Sequence, residues 1–172
     1  MFPAMSLQWQ SRTLKRSHMI NGPRHLEVTY CDDIREEVGN KFSYMGVYSG
    51  ELTVPTPLLL PKLCIVGKIT TDIDDPLESL DVRIVAYKGD DEKELLSTGP
   101  VAIPPNLPRQ VDGSTCMVAN LTFVLSPFQI TEEVILRVIA KTEREELRGT
   151  TALRIRLVPS ASSGAPAAQT IQ

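Results

Sequence analysis

The chain has 172 residues, of which 42% belong to the hydrophobic set and 23% are charged, and its formal net charge is −3. This composition can bury a core, and it excludes a disordered or collagen-like chain. No segment approaches the roughly 18 consecutive apolar residues that span a bilayer, so the sequence predicts no transmembrane segment. The N-terminus lacks the order of a signal peptide, which predicts a cytoplasmic protein.

The three cysteines, Cys31, Cys64 and Cys116, are far apart in the sequence and form no CxxC pair. Their odd number excludes a simple disulfide framework and favours a reducing compartment, in which each thiol is buried as a small hydrophobic group. A reactive thiol is the alternative, but it requires a nearby cation that lowers its pKa. The spacing of the sequence indicates no such cation.

Charge divides the chain into three segments. Residues 1–25 carry four basic and no acidic side chains, residues 26–159 carry fourteen basic and twenty-one acidic ones, and residues 160–172 carry none. The last segment has almost no side chain that would gain from burial, so ordering it would cost backbone entropy without return. We therefore predict a disordered basic arm at 1–25, a folded domain at 26–159 and a disordered tail at 160–172.

Seven segments of the middle region are rich in Val, Ile, Thr and Tyr or alternate apolar with polar side chains, which is typical of strands. They are residues 26–31, 41–49, 63–71, 80–88, 117–125, 134–142 and 153–157. Gly, Asp and Pro separate them, and no helical pattern intervenes that could form a βαβ crossover. The sequence therefore predicts an all-β, antiparallel β-sandwich, Ig-like or C2-like, with about seven to nine short strands.

The segment 32–39 is ambiguous. Asp32 as a cap, Glu36 in a capping-box position and a terminal Gly39 would suit one helical turn. We favour a strand that enters a hairpin, because Gly39-Asn40 is a two-residue turn signal and an apolar run follows at once.

Two motifs carry a resemblance. The first, from Tyr30 to Tyr48, reads Tyr-Cys-Asp-Asp-Ile-Arg-Glu-Glu-Val-Gly-Asn-Lys-Phe-Ser-Tyr-Met-Gly-Val-Tyr, and the second is Leu-Pro-Lys-Leu-Cys-Ile at residues 60–65. They resemble a family of small bacterial proteins that is classed only as a domain of unknown function. The resemblance covers residues 26–157 and leaves the N-terminal arm outside. It implies a compact β-sandwich that stands alone in its chain, and it carries over no catalytic residue.

Histidine, the side chain most often used as a general base, occurs only at His18 and His25, before the predicted core. The sequence contains no Gly-x-Ser-x-Gly elbow, no His-Glu-x-x-His pair and no phosphate-binding glycine loop. We therefore expect no enzyme, and we predict no catalytic, cofactor-binding or metal-binding residue and no small-molecule substrate.

Acidic side chains cluster in two successive loops, at residues 72–75 and 90–92. Calcium takes six to eight oxygen ligands from neighbouring loops, so a calcium- or membrane-surface-binding C2-like module is our second functional hypothesis. The strand predicted at 80–88 would hold the two loops roughly 30 Å apart, which argues against a shared site. Initiating turns is the simpler role for Asp and Asp-Pro at these positions.

Nucleic-acid binding through the basic arm is the third hypothesis. Arg12, Lys15, Arg16 and Arg24 would meet only about four phosphates, and the acidic body would repel nucleic acid. The only tryptophan, Trp9, lies in the arm, and the aromatic side chains of the body are expected in the core or on sheet faces.

Two proline-rich segments, residues 54–61 and 99–108, place apolar side chains outside the sheets or at their edges. Leu58, Leu59, Ile103 and Leu107 are therefore the candidate surface for a protein partner, held in an extended conformation at low entropic cost. The alternative is that the prolines protect the edges and these side chains fold back on the core. Our first functional hypothesis is a non-enzymatic protein-interaction or assembly module.

Overall fold

The structure is a computed structural model that describes residues 6–11, 24–39, 41–55, 57–104 and 114–158. This part of the chain is all-β, as predicted, and contains fourteen strands and no helix. The strands are β1 (Ser6–Ser11), β2 (His25–Glu37), β3 (Lys41–Val47), β4 (Glu51–Pro55), β5 (Leu58–Leu60), β6 (Leu63–Asp72), β7 (Ser79–Lys88), β8 (Asp91–Ser97), β9 (Val101–Ala102), β10 (Cys116–Leu125), β11 (Phe128–Ile130), β12 (Val134–Thr142), β13 (Glu146–Arg148) and β14 (Leu153–Val158).

Two large sheets form the sandwich. The first has the order β1-β10-β6-β2-β3, and the second has the order β4-β14-β12-β7-β8, with β13 beside β12 and β9 beside β7. Strands β5 and β11 form a separate two-stranded sheet. All these pairs are antiparallel except β14 and β4, which are parallel, so the antiparallel prediction holds for the whole described part but one pair.

The core lies between the two large sheets and is built from alternate side chains of their strands. Its largest fully buried members include Leu26, Tyr30, Ile65, Ile84, Leu121, Phe123, Leu136 and Ile155. Tyr30 is the one residue of this group with a polar side-chain atom, and its hydroxyl donates a hydrogen bond to the Leu136 carbonyl at 3.1 Å. Burial raises the pKa of Tyr30, so the phenol stays neutral in the core.

All seven predicted strands are present, as β2, β3, β6, β7, β10, β12 and β14. The total of fourteen strands exceeds the predicted seven to nine, because seven further strands are present. Most of them are short, and β5, β9, β11 and β13 have only two or three residues, too few to show a period of two. Segment 32–39 continues strand β2 into a hairpin, which confirms the strand interpretation and excludes the helical turn.

The predicted disordered arm needs correction at two places. Residues 6–11 form strand β1, which pairs with β10 from Ser6↔Thr122 to Ser11↔Met117. Backbone pairing to a free sheet edge requires no hydrophobic period, which is why the sequence pattern missed it. At the other end of the arm, His25 begins β2 and Arg24 is buried. Residues 1–5, 12–23 and the tail at 160–172 lie outside the described residues.

Candidate interaction surface

Strand β2 changes its neighbour halfway along its length. From His25 to Cys31 it pairs with β6, and from Cys31 to Glu37 it pairs only with β3, among the described strands. Beyond Cys31 the two strands therefore form a ribbon that extends past the rest of the first sheet. We call residues 32–39 and 41–47 the hairpin arm.

Two glycines with positive φ shape the hairpin arm. Gly39 closes the turn with φ of 86°, in the left-handed region that side chains avoid. Gly46 has φ of 63°, and a Cβ at this position would lie 2.0 Å from Oδ2 of Asp32. The missing side chain thus leaves the space that the Asp32 carboxylate occupies while it accepts a hydrogen bond from the Tyr48 hydroxyl. Burial and this carboxylate both raise the pKa of Tyr48.

Polar contacts fasten the base of the hairpin arm to the sandwich. The Lys62 ammonium, just before β6, donates to Oδ1 of Asp33, and Arg35 lies 3.7 Å from Oδ2 of the same carboxylate. The hydrogen bond from Lys62 lowers the pKa of Asp33, and Asp33 in turn raises the pKa of Lys62. These groups are solvent-screened, so they orient the arm more than they stabilise it.

Apolar side chains are exposed along the hairpin arm. Val38 at the tip is 97% exposed, and Tyr44, Met45 and Val47 on β3 are 42%, 42% and 55% exposed. They account for four of the six large hydrophobic side chains that are exposed in the described part of the chain. Met45 and Val47 are two positions apart on β3 and share one face of the ribbon, whereas Tyr44 lies on the other face. Adjoining exposed apolar side chains mark interaction sites in soluble proteins.

Strand β3 is also a sheet edge with unused backbone groups. The Tyr48 N–H donates to the Tyr30 carbonyl at 2.9 Å, so even-numbered residues of this region direct their backbone groups towards β2. By alternation, the N–H and C=O groups of Ser43, Met45 and Val47 point away from β2. No described strand pairs with that side of β3.

The edges of the second sheet are protected in ways that β3 is not. Strand β8 begins with the charged run Asp-Glu-Lys-Glu, and β4 ends at Pro55. Charge and proline at an edge prevent pairing with other chains. In β3 only Lys41 is charged, and the strand contains no proline. Among the described strands, the exposed apolar edge of β3 is therefore the one that could accept an added strand with least obstruction.

The charge of the hairpin arm is acidic. It contains Asp32, Asp33, Glu36 and Glu37 against Arg35 and Lys41. Glu37 accepts a hydrogen bond from the Ser43 hydroxyl. No salt bridge joins Glu36 or Glu37 to a described residue, and Lys41 is the cross-strand neighbour of Glu37. With four acidic and two basic side chains, the arm has a net charge of −2.

The predicted partner-binding residues that the structure describes differ in exposure. Leu59 on β5 is 58% exposed, whereas Leu58 is half-buried and packs against the core. Ile103 is a buried core residue, because its N–H donates to the Glu78 carbonyl at 2.8 Å and docks the segment after β9 on the sandwich. Ile103 therefore cannot belong to an exposed surface. Leu107 lies outside the described residues.

The first acidic loop forms a turn and pairs with arginines. Oδ1 of Asp72 accepts a hydrogen bond from the Asp74 N–H at 2.8 Å, as in an Asx turn. Asp75 pairs with Arg24 and with Arg144. Among the described residues, no group of three or more His, Cys, Asp and Glu side chains has an arrangement that could hold a metal ion.

Arg24 is the centre of a buried charge network. Its side chain is 2% exposed, and Nη2 lies 2.6 Å from Oε1 of Glu143 and donates to the Pro76 carbonyl at 3.0 Å. The Glu143 carboxylate also accepts from the N–H groups of Glu78 and Ser79. Partial burial alone would raise the pKa of Glu143, but these hydrogen bonds hold it at about 2. Arg24 is thus part of the sandwich and is not available to phosphates.

A groove of about 550 Å³ lies beside this network, at the turn between β12 and β13. Its lining mixes charges of both signs: Asp81, Arg83, Lys141, Glu143, Arg144, Glu145 and Glu146. Arg83 already pairs with Glu92 and Glu146. The groove therefore offers neither a uniform field nor an apolar floor for a small ligand.

No protein-family model matches the chain, and no curated protein matches it in sequence. The family resemblance of residues 26–157 therefore stays a prediction. Within the described ranges there is no helix whose length and apolar character would allow it to cross a bilayer.

Proposed function

We propose that the protein is a non-enzymatic protein-interaction or assembly module, and that its contact surface is the open edge of β3 on the hairpin arm. The observation that carries this proposal is the combination of exposed Tyr44, Met45 and Val47 with an edge strand that contains no proline and whose one charged residue, Lys41, lies at its start. Each feature alone is common on protein surfaces. Together they describe an edge to which an extended segment can add.

The chemistry of the arm specifies the partner. An extended segment that pairs with β3 would bond to the outward N–H and C=O groups of Ser43, Met45 and Val47. Apolar side chains of that segment would cover Met45 and Val47. Basic side chains near the tip would neutralise Glu36 and Glu37, which have no ion pair among the described residues. We therefore infer a partner strand that alternates apolar residues and carries Lys or Arg at one end.

Substitutions on the arm test the proposal. The tagged chain and its Met45→Lys plus Val47→Lys variant are compared in affinity purification from the native host. The matched control is Leu59→Lys, which changes a similarly exposed apolar residue on β5, a strand that pairs with β11 and not with β2 or β3. We expect a partner that the control retains and the arm variant loses, with unchanged thermal unfolding in both. Retention of every partner by the arm variant would refute the proposal.

Sedimentation equilibrium of the purified chain tests whether a second copy of this protein is the partner at β3. A concentration-dependent dimer that Met45→Lys plus Val47→Lys dissociates would mean that a second copy supplies the strand. A dimer that survives this double substitution would place the assembly surface elsewhere and count against the arm.

A further inference from the structure

Two of the three cysteines are direct neighbours across a strand pair. Cys31 on β2 and Cys64 on β6 are opposite each other in the antiparallel ladder, at the last residue of β2 that pairs with β6. Both are free thiols and both are buried, at 0% and 1% exposure. Their separation of more than thirty positions in the sequence gives no indication of this arrangement.

The register places the two thiols within reach of a disulfide. The Tyr30 carbonyl accepts from Tyr48, so the backbone of the next residue, Cys31, faces β6 and forms a hydrogen-bonded pair with Cys64. Opposite residues in such a pair have Cα atoms about 5.5 Å apart and side chains on the same face of the sheet. Disulfides bridge Cα separations of roughly 4.4 to 6.8 Å.

The surroundings keep both thiols protonated near neutral pH. Burial raises the pKa of Cys31 to about 11, and the nearby Cys64 and Asp32 add to the effect. Burial also raises the pKa of Cys64, although the Lys62 ammonium opposes this shift. The Cys64 thiol donates to the Asp32 carbonyl with a sulfur–oxygen distance of 3.7 Å. The closed sheet therefore keeps the pair reduced, and oxidation requires β2 to open transiently from β6 so that a peroxide reaches a thiolate.

We propose that Cys31 and Cys64 form a site of reversible covalent modification, at which a hydroperoxide oxidises the two thiols to one cross-strand disulfide. The first thiolate attacks the peroxide oxygen, breaks the O–O bond, and becomes a sulfenic acid while hydroxide leaves and takes up a proton. The second thiolate displaces the sulfenic oxygen as water, and the S–S bond forms. Two thiols and one hydrogen peroxide thus give one disulfide and two waters.

The position of the pair explains how the bond can close and reopen. Opposite Cβ atoms in a ladder are about 4.5 to 5.5 Å apart, whereas a disulfide prefers roughly 3.5 to 4.5 Å, so β2 must move towards β6. This movement is feasible because β2 beyond Cys31 is paired only with β3 in the described part of the chain. The remaining strain makes the disulfide easy to reduce, and the bond would fix the base of the hairpin arm.

The experiment uses hydrogen peroxide on the folded full chain at pH 8.5, with Cys116→Ser as the parent so that only the proposed pair remains. We expect a mass loss of about 2 Da, loss of both alkylatable thiols, and full recovery with a monothiol reductant. Additional Cys31→Ser or Cys64→Ser substitution must abolish the 2 Da loss. The same oxidation in denaturant is the positive control for the chemistry.

Failure of the folded protein to form the disulfide, while the denatured chain forms it, would overturn the inference, because either the register does not allow closure or peroxide does not reach the buried pair. So would a disulfide that forms only between two chains. Neither outcome bears on strand addition at β3, because the partner assay uses the reduced protein.

Discussion

At the scale of single residues, Gly46 is the position on which the hairpin arm depends most. Its φ of 63° disfavours any side chain, and a Cβ would overlap the Asp32 carboxylate. Gly46→Ala must therefore strain the backbone and displace the contact between Asp32 and Tyr48. We expect the free energy of unfolding to fall by about 2 to 3 kcal/mol in chemical denaturation.

Gly89→Ala is the matched control for this substitution. Gly89 has nearly the same φ, 60°, but a Cβ there would meet nothing within 4 Å. Gly89→Ala should therefore lower the free energy of unfolding only by the cost of backbone strain, about 1 kcal/mol. Equal losses for the two variants would mean that Asp32 moves aside without cost and that Gly46 has no special role.

Glu143 should make the stability depend on pH in the acid range. Its pKa is about 2 in the folded protein and 4.5 ordinarily, so the folded state favours the charged form. The resulting stabilisation, on the order of 3 kcal/mol, is fully present above about pH 4.5 and is lost as the pH falls towards 2. Glu143→Gln also leaves the buried Arg24 without its closest carboxylate.

We therefore expect Glu143→Gln to unfold more easily than the native chain at pH 7 and to match it near pH 2. Urea denaturation at a series of pH values measures this difference. Glu94→Gln, on the exposed edge strand β8, controls for the loss of one carboxylate. A difference between Glu143→Gln and the native chain that stays constant from pH 7 to 2 would contradict the assigned pKa.

At the scale of strands, the sequence pattern predicts those elements that bury one face along their whole length. Strand β7 alternates so regularly that its boundaries can be predicted to within a residue. The Gly39-Asn40 signal likewise predicts the β2–β3 hairpin. The start of β6 at Leu63 is also predicted from the sequence. The length by which the hairpin outreaches β6 depends on the register of β2 against β6, in which Cys31 is opposite Cys64, and no local signal encodes this register.

The candidate surface is harder to predict than the strands for the same reason. Tyr44, Met45 and Val47 have the composition of a core strand, and the sequence predicts aromatic residues either in the core or on sheet faces. They are exposed on β3, the edge strand of the first sheet among the described strands. Conversely, the prolines beside Ile103 suggest exposure, but tertiary packing buries its side chain. Proline placement indicates where a sheet ends and does not determine what covers the neighbouring residues.

Proline substitution tests which side of β3 is open. The Met45 N–H points outwards by alternation, so Met45→Pro removes no ladder hydrogen bond and should cost less than about 1 kcal/mol. The Tyr44 N–H points towards β2, where Tyr44 is opposite Ile34, so Tyr44→Pro should cost about 3 kcal/mol. Chemical denaturation measures both values. A reversed order of the two losses would mean that β3 presents its other side.

At the scale of the whole molecule, charged side chains that lie in different segments of the sequence form ion pairs in the folded protein. By sequence, Arg24 belongs to the predicted basic arm and Asp75 and Glu143 belong to the acidic body, yet these three side chains form one network. The same holds for the cysteines, of which two meet across β2 and β6. Segment boundaries that are based on composition cannot predict such contacts, because the register between distant strands is set only when the sheets assemble.

The contact between the two sheets provides the last prediction, at Gly149. Just after β13 the chain crosses to the first sheet, where the Thr150 N–H donates to the Leu26 carbonyl at 3.0 Å. A Cβ on Gly149 would lie 2.6 Å from Cγ2 of Val28 and 3.3 Å from the Val138 carbonyl oxygen. Because a buried valine branch has little freedom to move, Gly149→Ala must push the sheets apart locally.

We expect this substitution to lower the free energy of unfolding by about 1 to 3 kcal/mol and to reduce amide protection in both sheets. Gly67→Ala is the matched control, because its Cβ would approach no atom closer than 3.4 Å and should fit with a loss below about 1 kcal/mol. Hydrogen exchange distinguishes the two cases. Loss of amide protection that is confined to β12 and β13 would show that Gly149 affects only the turn in which it lies. Loss that extends to β2 would show that Gly149 sets the spacing between the two sheets.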